Sequence, residues 1–588
     1  MFANQKEHWN RIHAQGDIDR YSAKSAALAQ EVIKLLPPQS KVLELGCGSG
    51  SDAAFFAQNG HQVTATDFSE VAIEKARQRL PITLGFVILH TNKIEEFNIA
   101  RSTLMNIEDV PTTNNGAGIA PSGLGRARLA LAISAGKLAG ASGRFFRIGG
   151  GTSLPGMIAR RIDPNVLKSV VGTSKAKKIV ITGSNGKTTT ARMTATIADY
   201  SGQRVSHNRT GSNMLQGVTS VAVNFADLFG RLDSDVLLFE VDEGTIPLAV
   251  PEIQPDVVVI TNIFRDQLDR YGELYSVAKA LNKMLENLPE SSTILLNGND
   301  PQVANFGLNA KAKRLFFGLE TAEVGTPVPE QSADIIRCVR CQEDLQYEVA
   351  YMSHLGLYRC PNCGYTLPKL DFAATSVKLA ADGEGPSHVK IRTPEGEIEL
   401  DIPLPGVHNV YNATAAIGAA MAAGFKMDKA PAAIASMRPA FGRLEKIQAG
   451  DQTIYLAFVK NPTSFNLMLR LIAQHPTEKH VMVVASNTVV DGEDFAWLWD
   501  VDIEEIAQDI RDVVCSGRKA EELAMRLKYA EIPVDKISTI HEREAALDAA
   551  LKNAGPGGTL YIMASYTPTH ELRRIMQKRG WVKHFWEE

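Results

Sequence analysis

The sequence predicts an α/β protein with largely parallel sheets, because short apolar strands alternate with helical patterns along most of its 588 residues. The strands predicted beyond the first hundred residues fall into two series, at 178–182, 236–241, 257–261 and 293–297, and at 481–485, 512–516 and 559–563. A shorter unit of strand, glycine loop, helix, strand and second helix covers residues 39–80, with the second helix at 69–79. A chain of this length fits about three to five domains.

Composition excludes several classes of protein. The net charge is −4 and 44% of the residues are hydrophobic, so several cores can be buried and no basic surface for nucleic acid is expected. The segment Met1–Gln15 is polar, and no run of 18 apolar residues occurs. We therefore expect a cytoplasmic protein without a spanning helix.

Changes in composition divide the chain. We predict a partial Rossmann-like fragment at 1–104, in which the alternation of strands and helices fades beyond Pro81. A linker is predicted at 105–125, which is rich in Thr, Asn and Gly. A central domain is predicted at 126–442 and a C-terminal Rossmann-like domain at 443–588.

A phosphate-binding loop is predicted where the first long strand ends. Residues 183–188 read Gly-Ser-Asn-Gly-Lys-Thr, between an apolar strand and a helical pattern. Glycines let backbone N–H groups approach phosphate oxygens, and the start of a helix favours an anion. Lys187 can reach the terminal phosphates, and the Thr188 hydroxyl can bind Mg²⁺. The strict Walker A pattern fails because Ile181 replaces its first glycine.

This loop resembles the shortened phosphate loop of the Mur ligases, and five more motifs follow in the order of that family. They are Phe239-Glu-Val-Asp-Glu-Gly, Thr261-Asn-Ile-Phe-Arg-Asp-Gln-Leu-Asp, Leu296-Asn-Gly-Asn-Asp-Pro, Gly406-Val-His-Asn-Val-Tyr-Asn and Gly442-Arg-Leu-Glu. The resemblance covers about 124–588 and implies a P-loop-type central domain that binds ATP and Mg²⁺. It implies catalytic roles for Lys187 and Glu240, and Mg²⁺ binding by Thr188 and Glu240. The nucleotide-binding residues it implies are Gly183, Asn185, Gly186, Lys187, Thr188, Thr189, Asn262, Asn409, Asn412 and Arg443.

Two CxxC pairs lie within an insertion at 334–368. Cys338 and Cys341 are separated from Cys360 and Cys363 by 18 residues, a spacing typical of a structural Cys₄ zinc site. Four thiolates leave no open coordination position. We therefore predict a zinc ribbon with a structural role.

The ribbon and several further segments resemble the MurT branch of the Mur ligases. These segments are His207-Asn-Arg-Thr-Gly-Ser-Asn-Met, Ala457-Phe-Val-Lys-Asn-Pro, Asp491-Gly-Glu-Asp-Phe-Ala-Trp-Leu-Trp-Asp and Ser516-Gly-Arg-Lys-Ala-Glu-Glu-Leu. The resemblance implies ATP-dependent amidation of the D-glutamate α-carboxylate of lipid II to D-isoglutamine, through an acyl phosphate. It also implies a GatD-like glutamine amidotransferase partner and contact with the inner membrane face through the substrate only. The second acid of the Asp-Gly-Glu-Asp motif, Asp494, is implied to orient a catalytic group of the partner; its alternative interpretation is a solvated turn residue.

The N-terminal fragment resembles part of a class I methyltransferase. The loop Glu44-Leu-Gly-Cys-Gly-Ser-Gly follows a strand, and Asp67 ends the next one. Because that resemblance stops near residue 80, we expect a truncated remnant that does not bind S-adenosylmethionine. The alternatives are an amino-acid-adding Mur ligase, a bifunctional protein with a methyltransferase module, and a non-catalytic scaffold.

Overall fold

The computed structural model describes residues 33, 38–45, 51–67, 76, 87–91, 123–145, 153–208, 212–265, 274–380, 385–438, 444–488, 491–492 and 494–582. The chain divides into two compact units, 1–109 and 110–588. Both are built from strands and helices, and the parallel pairing confirms the predicted α/β class.

The first unit contains a three-stranded parallel sheet. Its elements are β1 (Lys41–Leu45), α1 (Ser51–Gln58), β2 (Gln62–Asp67) and β3 (Val87–Thr91), and the strand order is β1-β2-β3. The third strand lies beyond residue 80, where the sequence shows little periodicity and where we expected the methyltransferase resemblance to have ended. The glycine loop at 46–50 and most of the helix predicted at 69–79 lie outside the described residues.

The second unit begins with three helices and continues with alternating strands and helices. These are α2 (Gly123–Phe145), α3 (Leu154–Ile162), α4 (Val166–Val171), β4 (Lys177–Thr182), α5 (Lys187–Tyr200), β5 (Val205–His207), α6 (Leu215–Phe225), β6 (Val236–Glu240), α7 (Ile246–Ile253), β7 (Val257–Ile260), α8 (Leu274–Glu286), β8 (Thr293–Asn297), α9 (Pro301–Ala304) and β9 (Lys313–Leu319). Helix α2 begins three residues inside the predicted linker. No helix in the described part of the chain is both long and apolar enough to span a membrane.

Beyond β9 come the ribbon hairpin, an antiparallel extension of the sheet and two helices. They are β10 (Gln346–Met352), β11 (Leu355–Arg359), β12 (Phe372–Lys378), β13 (Ser387–Thr393), β14 (Gly396–Ile402), α10 (Val407–Ala422) and α11 (Ala430–Ala435). The nine-stranded sheet has the order β14-β13-β12-β9-β8-β7-β4-β6-β5, and only the pairs involving β13 are antiparallel.

The topology makes β4 a switch point. The chain leaves β4 for β5 and β6 on one side of it and then crosses to β7 on the other. In open parallel sheets, ligands bind beyond the carboxyl ends of the strands at such a point. The loop after β4 therefore lies where this fold places a ligand.

Both faces of the central strands are covered, which explains their continuous apolar sequences. Ile179 and Ile181 of β4 point to one core, against α5 and α10, whereas Val180 points to the other, against α4, α6 and α7. Gly418 of α10 has side chains of β8 and β12 so close that an added Cβ would lie about 3 Å from them. Tight packing of this Ala-rich helix thus fixes its N-terminus over the sheet.

The rest of the unit forms a smaller α/β domain. It contains β15 (Glu445–Ala449), β16 (Gln452–Phe458), α12 (Pro462–Gln474), β17 (Lys479–Ala485), β18 (Ile510–Gly517), α13 (Ala520–Tyr529), β19 (Ile537–Thr539), α14 (Arg543–Ala554), β20 (Thr559–Ala564) and α15 (Tyr566–Lys578). The strand order is β15-β16-β20-β17-β18-β19, with only the β15–β16 pair antiparallel.

Candidate functional site

The predicted phosphate loop connects β4 to α5 and has the backbone geometry that its glycines allow. Gly183 and Gly186 have φ values of 128° and 85°, which favour glycine. A Cβ at Gly183 would lie 2.3 Å from Thr261 Oγ1, and one at Gly186 would lie 2.3 Å from Asn412 Oδ1. Larger residues at these two positions would displace the side chains that surround the loop.

Residues after β7 hold the loop in place. Asn262 Oδ1 accepts a hydrogen bond from the Asn185 backbone N–H at 2.8 Å, and Thr261 Oγ1 donates to the Asn185 carbonyl at 2.8 Å. Ser184 Oγ donates to the Phe264 carbonyl and accepts from the Phe264 N–H. Asn262 therefore contributes to the site by shaping the loop.

Lys187 begins α5 and is almost fully buried. Its ammonium donates to the Gly183 carbonyl and forms an ion pair with Glu243 Oε2 at 2.9 Å. Burial opposes ionisation of Glu243, but the charges of Lys187 and Lys460 outweigh it and hold the pKa of Glu243 below its ordinary value. The site thus contains a buried cation with a carboxylate beside it. Glu243 was not predicted as a site residue, although it lies three residues after Glu240.

Thr188 and Glu240 lie next to each other, as a shared metal site requires. Thr188 Oγ1 donates to Glu240 Oε1 at 3.0 Å. The Glu240 backbone is fixed by Asn208, whose amide accepts from its N–H and donates to its carbonyl, both at 2.8 Å. A hydroxyl and a carboxylate are oxygen ligands that suit Mg²⁺, so the donor set fits this ion.

An open cleft of about 900 Å³, including solvent at its mouth, extends from the loop toward α10. Its polar wall includes Thr189, Asn409 and Asn412. Asn412 Nδ2 donates a hydrogen bond to Asn409 Oδ1 at 3.0 Å, and Asn412 Oδ1 accepts one from the Thr190 hydroxyl at 3.2 Å. These hydrogen bonds fix the orientation of both side-chain amides. The remaining wall is mainly apolar, with Phe317, Met352, Leu404, Phe458, Leu467, Met468 and Leu471. An apolar cleft with a few fixed amides suits a flat heterocycle with polar edges.

The smaller domain contributes directly to this site. Lys460 Nζ donates to the Ser184 carbonyl at 3.0 Å, and Asn461 caps α12 while its amide approaches Asn185 at 3.4 Å. The sequence singled out the segment that contains these residues but did not place them in the nucleotide site. Their contribution depends on how two distant segments pack, which local spacing does not reveal.

A buried polar junction also joins the smaller domain to the segment that precedes the ribbon. The side chain of Glu330, only 2% exposed, pairs with Arg470 Nη1 at 2.8 Å and accepts from Asn466 Nδ2 at 3.1 Å. Asn466 Nδ2 also donates to Asp502 Oδ2 at 2.8 Å. Nearby, Arg265 pairs with Asp500 at 3.2 Å. These bonds fix the smaller domain beside the cleft.

We expect Asp502→Asn to stabilise the protein at pH 7.5 by about 1 kcal/mol and to have little effect near pH 4. Burial, with the charges of Glu330 and Glu505, raises the pKa of Asp502 to about 6 from the usual 3.8. The folded state thus disfavours the carboxylate, and this cost appears as the pH rises from about 4 to 6. Urea denaturation at both pH values measures the effect.

The exposed Asp535, changed to Asn, provides the matched control for that measurement. If Asp502→Asn raises the free energy of unfolding equally at both pH values, the substitution acts by a route other than the protonation of Asp502.

The four ribbon cysteines converge as predicted. Their sulfur atoms all lie within 4.8 Å of one another, with Cys338 Sγ 3.5 Å from Cys363 Sγ and Cys341 Sγ 3.4 Å from Cys360 Sγ. A tetrahedral zinc with Zn–S bonds of about 2.3 Å requires sulfur separations of roughly 3.8 Å. The cluster therefore fits a Cys₄ zinc site.

The two halves of the cluster repeat one backbone turn. Residues Gln342 and Gly364, each directly after the second cysteine of a pair, have φ values of 64° and 72°. Each pair also places its first cysteine N–H on a carbonyl five residues later, at 2.7 Å. The sequence thus forms two equivalent loops whose thiols face one another.

Two tyrosines of the ribbon form hydrogen bonds with the backbone just after β8. Tyr358 and Tyr365 donate their hydroxyls to the carbonyls of Gly298 and Pro301, at 3.2 and 2.7 Å. The ribbon turn also places Met352 in the wall of the cleft. A structural metal would thereby support the end of β8 and the wall of the cleft.

The structure places one predicted site residue, Asp494, away from this cleft. Asp494 is exposed and lines a separate depression with Trp499, Lys519 and Met525. Its carboxylate accepts from the Ala496 N–H at 2.8 Å, as a turn-forming residue would. Arg443 lies outside the described residues.

Family models match three parts of the chain. The model for the Mur ligase middle domain matches residues 181–352, and the model for the MurT ligase C-terminal domain matches 458–569. The model for a methyltransferase domain matches 42–104, beyond the limit near residue 80 that we expected.

Individual relatives agree with these models. The chain is 31% identical to the MurT subunit of glutamine-hydrolysing lipid II isoglutaminyl synthase from Streptococcus pneumoniae, over 77% of this chain and 99% of that one. The equivalent Staphylococcus aureus subunit is 29% identical over 65% and 84% of the two chains. Among solved structures, a pseudomurein peptide ligase type C from Methanothermus fervidus shares the fold, with a TM-score of 0.56, 20% identity and coverage of 92% and 99%.

Proposed function

Because the chain belongs to the MurT family of Mur ligases, we propose that it amidates the α-carboxylate of D-glutamate in lipid II. It is a ligase of peptidoglycan synthesis. One observation supports this proposal above the others: Lys187, the Thr188–Glu240 pair and Lys460 of the smaller domain meet around the phosphate loop. ATP and Mg²⁺ are the cofactors that these residues suit, and the four ribbon cysteines suit a structural zinc.

The chain's own groups would position the phosphates of ATP. The loop around Asn185 supplies backbone N–H groups at the start of α5, and Lys187 supplies a buried positive charge. Thr188 and Glu240 would hold Mg²⁺, which supplies neutralisation of phosphate charge when bound. Asn409 and Asn412 would contact the base, and Arg443 is proposed as a further phosphate contact.

The proposed reaction has two steps. An oxygen of the D-glutamate α-carboxylate attacks the γ-phosphorus, ADP leaves, and an acyl phosphate forms. Ammonia then attacks the acyl carbon, phosphate departs with the former carboxylate oxygen, and a proton is lost from nitrogen to give D-isoglutamine. In both steps charge builds on phosphoryl oxygens, so Lys187 and Lys460 would act by electrostatic stabilisation.

The proposed ammonia source is a GatD-like glutamine amidotransferase partner. A glutaminase of that kind needs a reactive thiolate. Among the described cysteines, four form the metal cluster, and burial raises the pKa of Cys515 to about 12. We further propose a cytoplasmic complex at the inner membrane face, where a lipid-linked substrate is reached.

We expect Asp494→Ala to lower glutamine-dependent amidation at least tenfold and to leave ammonia-dependent amidation nearly unchanged. The reason is that Asp494 is exposed and far enough from the cleft to line a different depression, so it would act on the partner. Amidation is measured with purified complex, supplied with either glutamine or ammonium chloride. The exposed Asp535→Ala is the control, and equal loss with both nitrogen donors would contradict the role.

The central test follows the nitrogen atom. The chain is purified with a glutaminase of the GatD type and given lipid II, ATP and glutamine labelled with ¹⁵N in its amide. We expect D-isoglutamine that carries the label, with one ADP formed per amide. A product that gains an amino acid instead of ammonia would refute the proposal in favour of an amino-acid-adding ligase.

A methyl-transfer activity is the second candidate, favoured by the methyltransferase-domain match over 42–104 and the parallel sheet β1-β2-β3. Our prediction remains that S-adenosylmethionine does not bind. Calorimetric titration of the full chain with this compound tests it, and a saturable heat would support a bifunctional protein.

A further inference from the structure

Positive charge is concentrated in the segment that precedes the phosphate loop. Residues 123–178 contain eleven Lys and Arg but a single acidic residue, Asp163, whereas the whole chain has a net charge of −4. Asp163 is itself buried. Ten of the eleven lie in the described ranges 123–145 and 153–178, which contain α2, α3, α4 and the start of β4.

Helix α2 exposes leucines on the side opposite its core. Leu129 and Ile133 are buried, whereas Leu131 and Leu138 are 61% and 68% exposed. The two exposed leucines are seven residues apart, which is two helical turns, so they lie along the same face. Leaving both side chains in water has no structural benefit for the monomer.

Basic residues accompany these leucines. Arg126 and Arg128 are exposed on α2, and the helix contains no acidic residue. Arg128 Nε donates to the Ile162 carbonyl at the end of α3, next to the exposed Arg161. We name the set Arg126, Arg128, Leu131, Leu138 and Arg161 the basic helix face.

A neighbouring loop adds larger apolar side chains. After α6, Leu228 and Phe229 are 54% and 79% exposed, and Arg231 lies over the Phe229 ring at 5.9 Å. The loop packs on α2, because a Cβ at Gly230 would lie 3.0 Å from Leu129. The connection from α6 to β6 contains three acidic residues. Asp227 accepts hydrogen bonds from the backbone N–H groups of residues 229 and 231, and Asp233 and Asp235 pair with Arg204.

We propose that the basic helix face, with the adjoining loop, docks on the surface of an anionic lipid bilayer. Exposed leucines and phenylalanine among arginines, without carboxylates on the helix, are the composition of helices that lie in a membrane interface. The proposal deepens the proposed function and partly rests on it, because a lipid-linked substrate gives such docking a purpose. It differs from our expectation that the substrate alone would contact the membrane.

Vesicle sedimentation of the full chain tests the proposal. The vesicles contain either phosphatidylcholine alone or a 7:3 mixture of phosphatidylcholine and phosphatidylglycerol. We expect binding to the anionic vesicles only, decreasing with salt because surface attraction is screened. Arg126→Gln with Arg128→Gln is expected to weaken binding roughly 25-fold, at about fivefold for each charge near the surface.

The apolar contribution is tested by Leu131→Glu with Leu138→Glu, which should abolish sedimentation with the anionic vesicles. Leu308→Glu with Val534→Glu is the matched control, since these side chains are 52% and 63% exposed elsewhere. Circular dichroism shows whether the leucine variant is folded. If it is unfolded, the loss of vesicle binding in the arginine variant still tests whether the basic helix face docks on the membrane.

The two proposals fail in distinguishable ways. Full-chain protein that ignores anionic vesicles, or a double-leucine variant that binds them as well as the control, overturns membrane docking. Self-association that is lost in the same variant, seen by light scattering, would instead assign this face to a second copy. The leucine variant should still amidate lipid II solubilised in detergent, whereas failure of that reaction in the unaltered protein would count against the proposed function.

Discussion

Lys187→Ala is expected to lower ATP-dependent amidation by about 10³-fold or more, because it removes the buried cation nearest the proposed phosphate site. The substitution also leaves Glu243 buried without its lysine. An uncompensated buried charge typically costs about 3–5 kcal/mol, so the single variant would lose stability as well as activity.

A double variant separates these two effects. Lys187→Ala with Glu243→Gln removes the orphaned charge, and we expect it to regain most of the unfolding free energy while remaining inactive. Lys177→Ala is the matched control, because this exposed lysine lies at the start of β4, far from the phosphate loop that follows the strand. ADP release and urea denaturation are measured for all variants. Recovery of turnover in the double variant would exclude Lys187 from the chemistry.

Loss of the metal cluster should have the second large effect. We expect one zinc per chain by metal analysis, and none in Cys338→Ser with Cys360→Ser. Structural zinc contributes directly to folding energy, so we expect the Tm to fall by about 10 °C or more. Nucleotide binding should weaken too, because the ribbon tyrosines bond to the end of β8 and Met352 lines the cleft.

Cys515→Ala is the control for the ribbon variant. This cysteine is fully buried in the smaller domain and belongs to no metal cluster among the residues that the structure describes. Its loss should leave the zinc content and the nucleotide affinity unchanged. A ribbon variant with normal zinc content would show that the metal binds elsewhere, and one with normal thermal stability would remove the structural role.

The sequence predicted the strands whose burial is complete. Strands β4, β7 and β8 are covered on both faces, and their continuous apolar runs made them recognisable. Strand β13, by contrast, alternates buried and exposed residues in a polar sequence, and β3 is a short strand in a segment with little periodicity. We predicted neither strand, because each is stabilised by its neighbours more than by its own residues.

The site residues likewise divide into those that a local motif predicted and those that only the packing of the chain reveals. Lys187, Thr188 and Glu240 were predictable because a local motif places them at strand ends. Glu243 and Lys460 were missed, since their positions depend on a buried ion pair and on contact between two domains. Asp494 was found by motif, but the structure brings it to another surface, so its role stays a prediction.

The position of the ribbon has a consequence for the order of folding. Strand β9 pairs with β12, as Phe317 does with Phe372, and the ribbon occupies the chain between them. Closing a long flexible loop carries an entropic cost that grows with its length. A bound ion orders the ribbon and so shortens the flexible part of the chain between β9 and β12 before these strands pair. We therefore expect the supply of metal during synthesis to set how fast β12, β13 and β14 join the sheet. Refolding rates with and without a chelator would report this kinetic coupling.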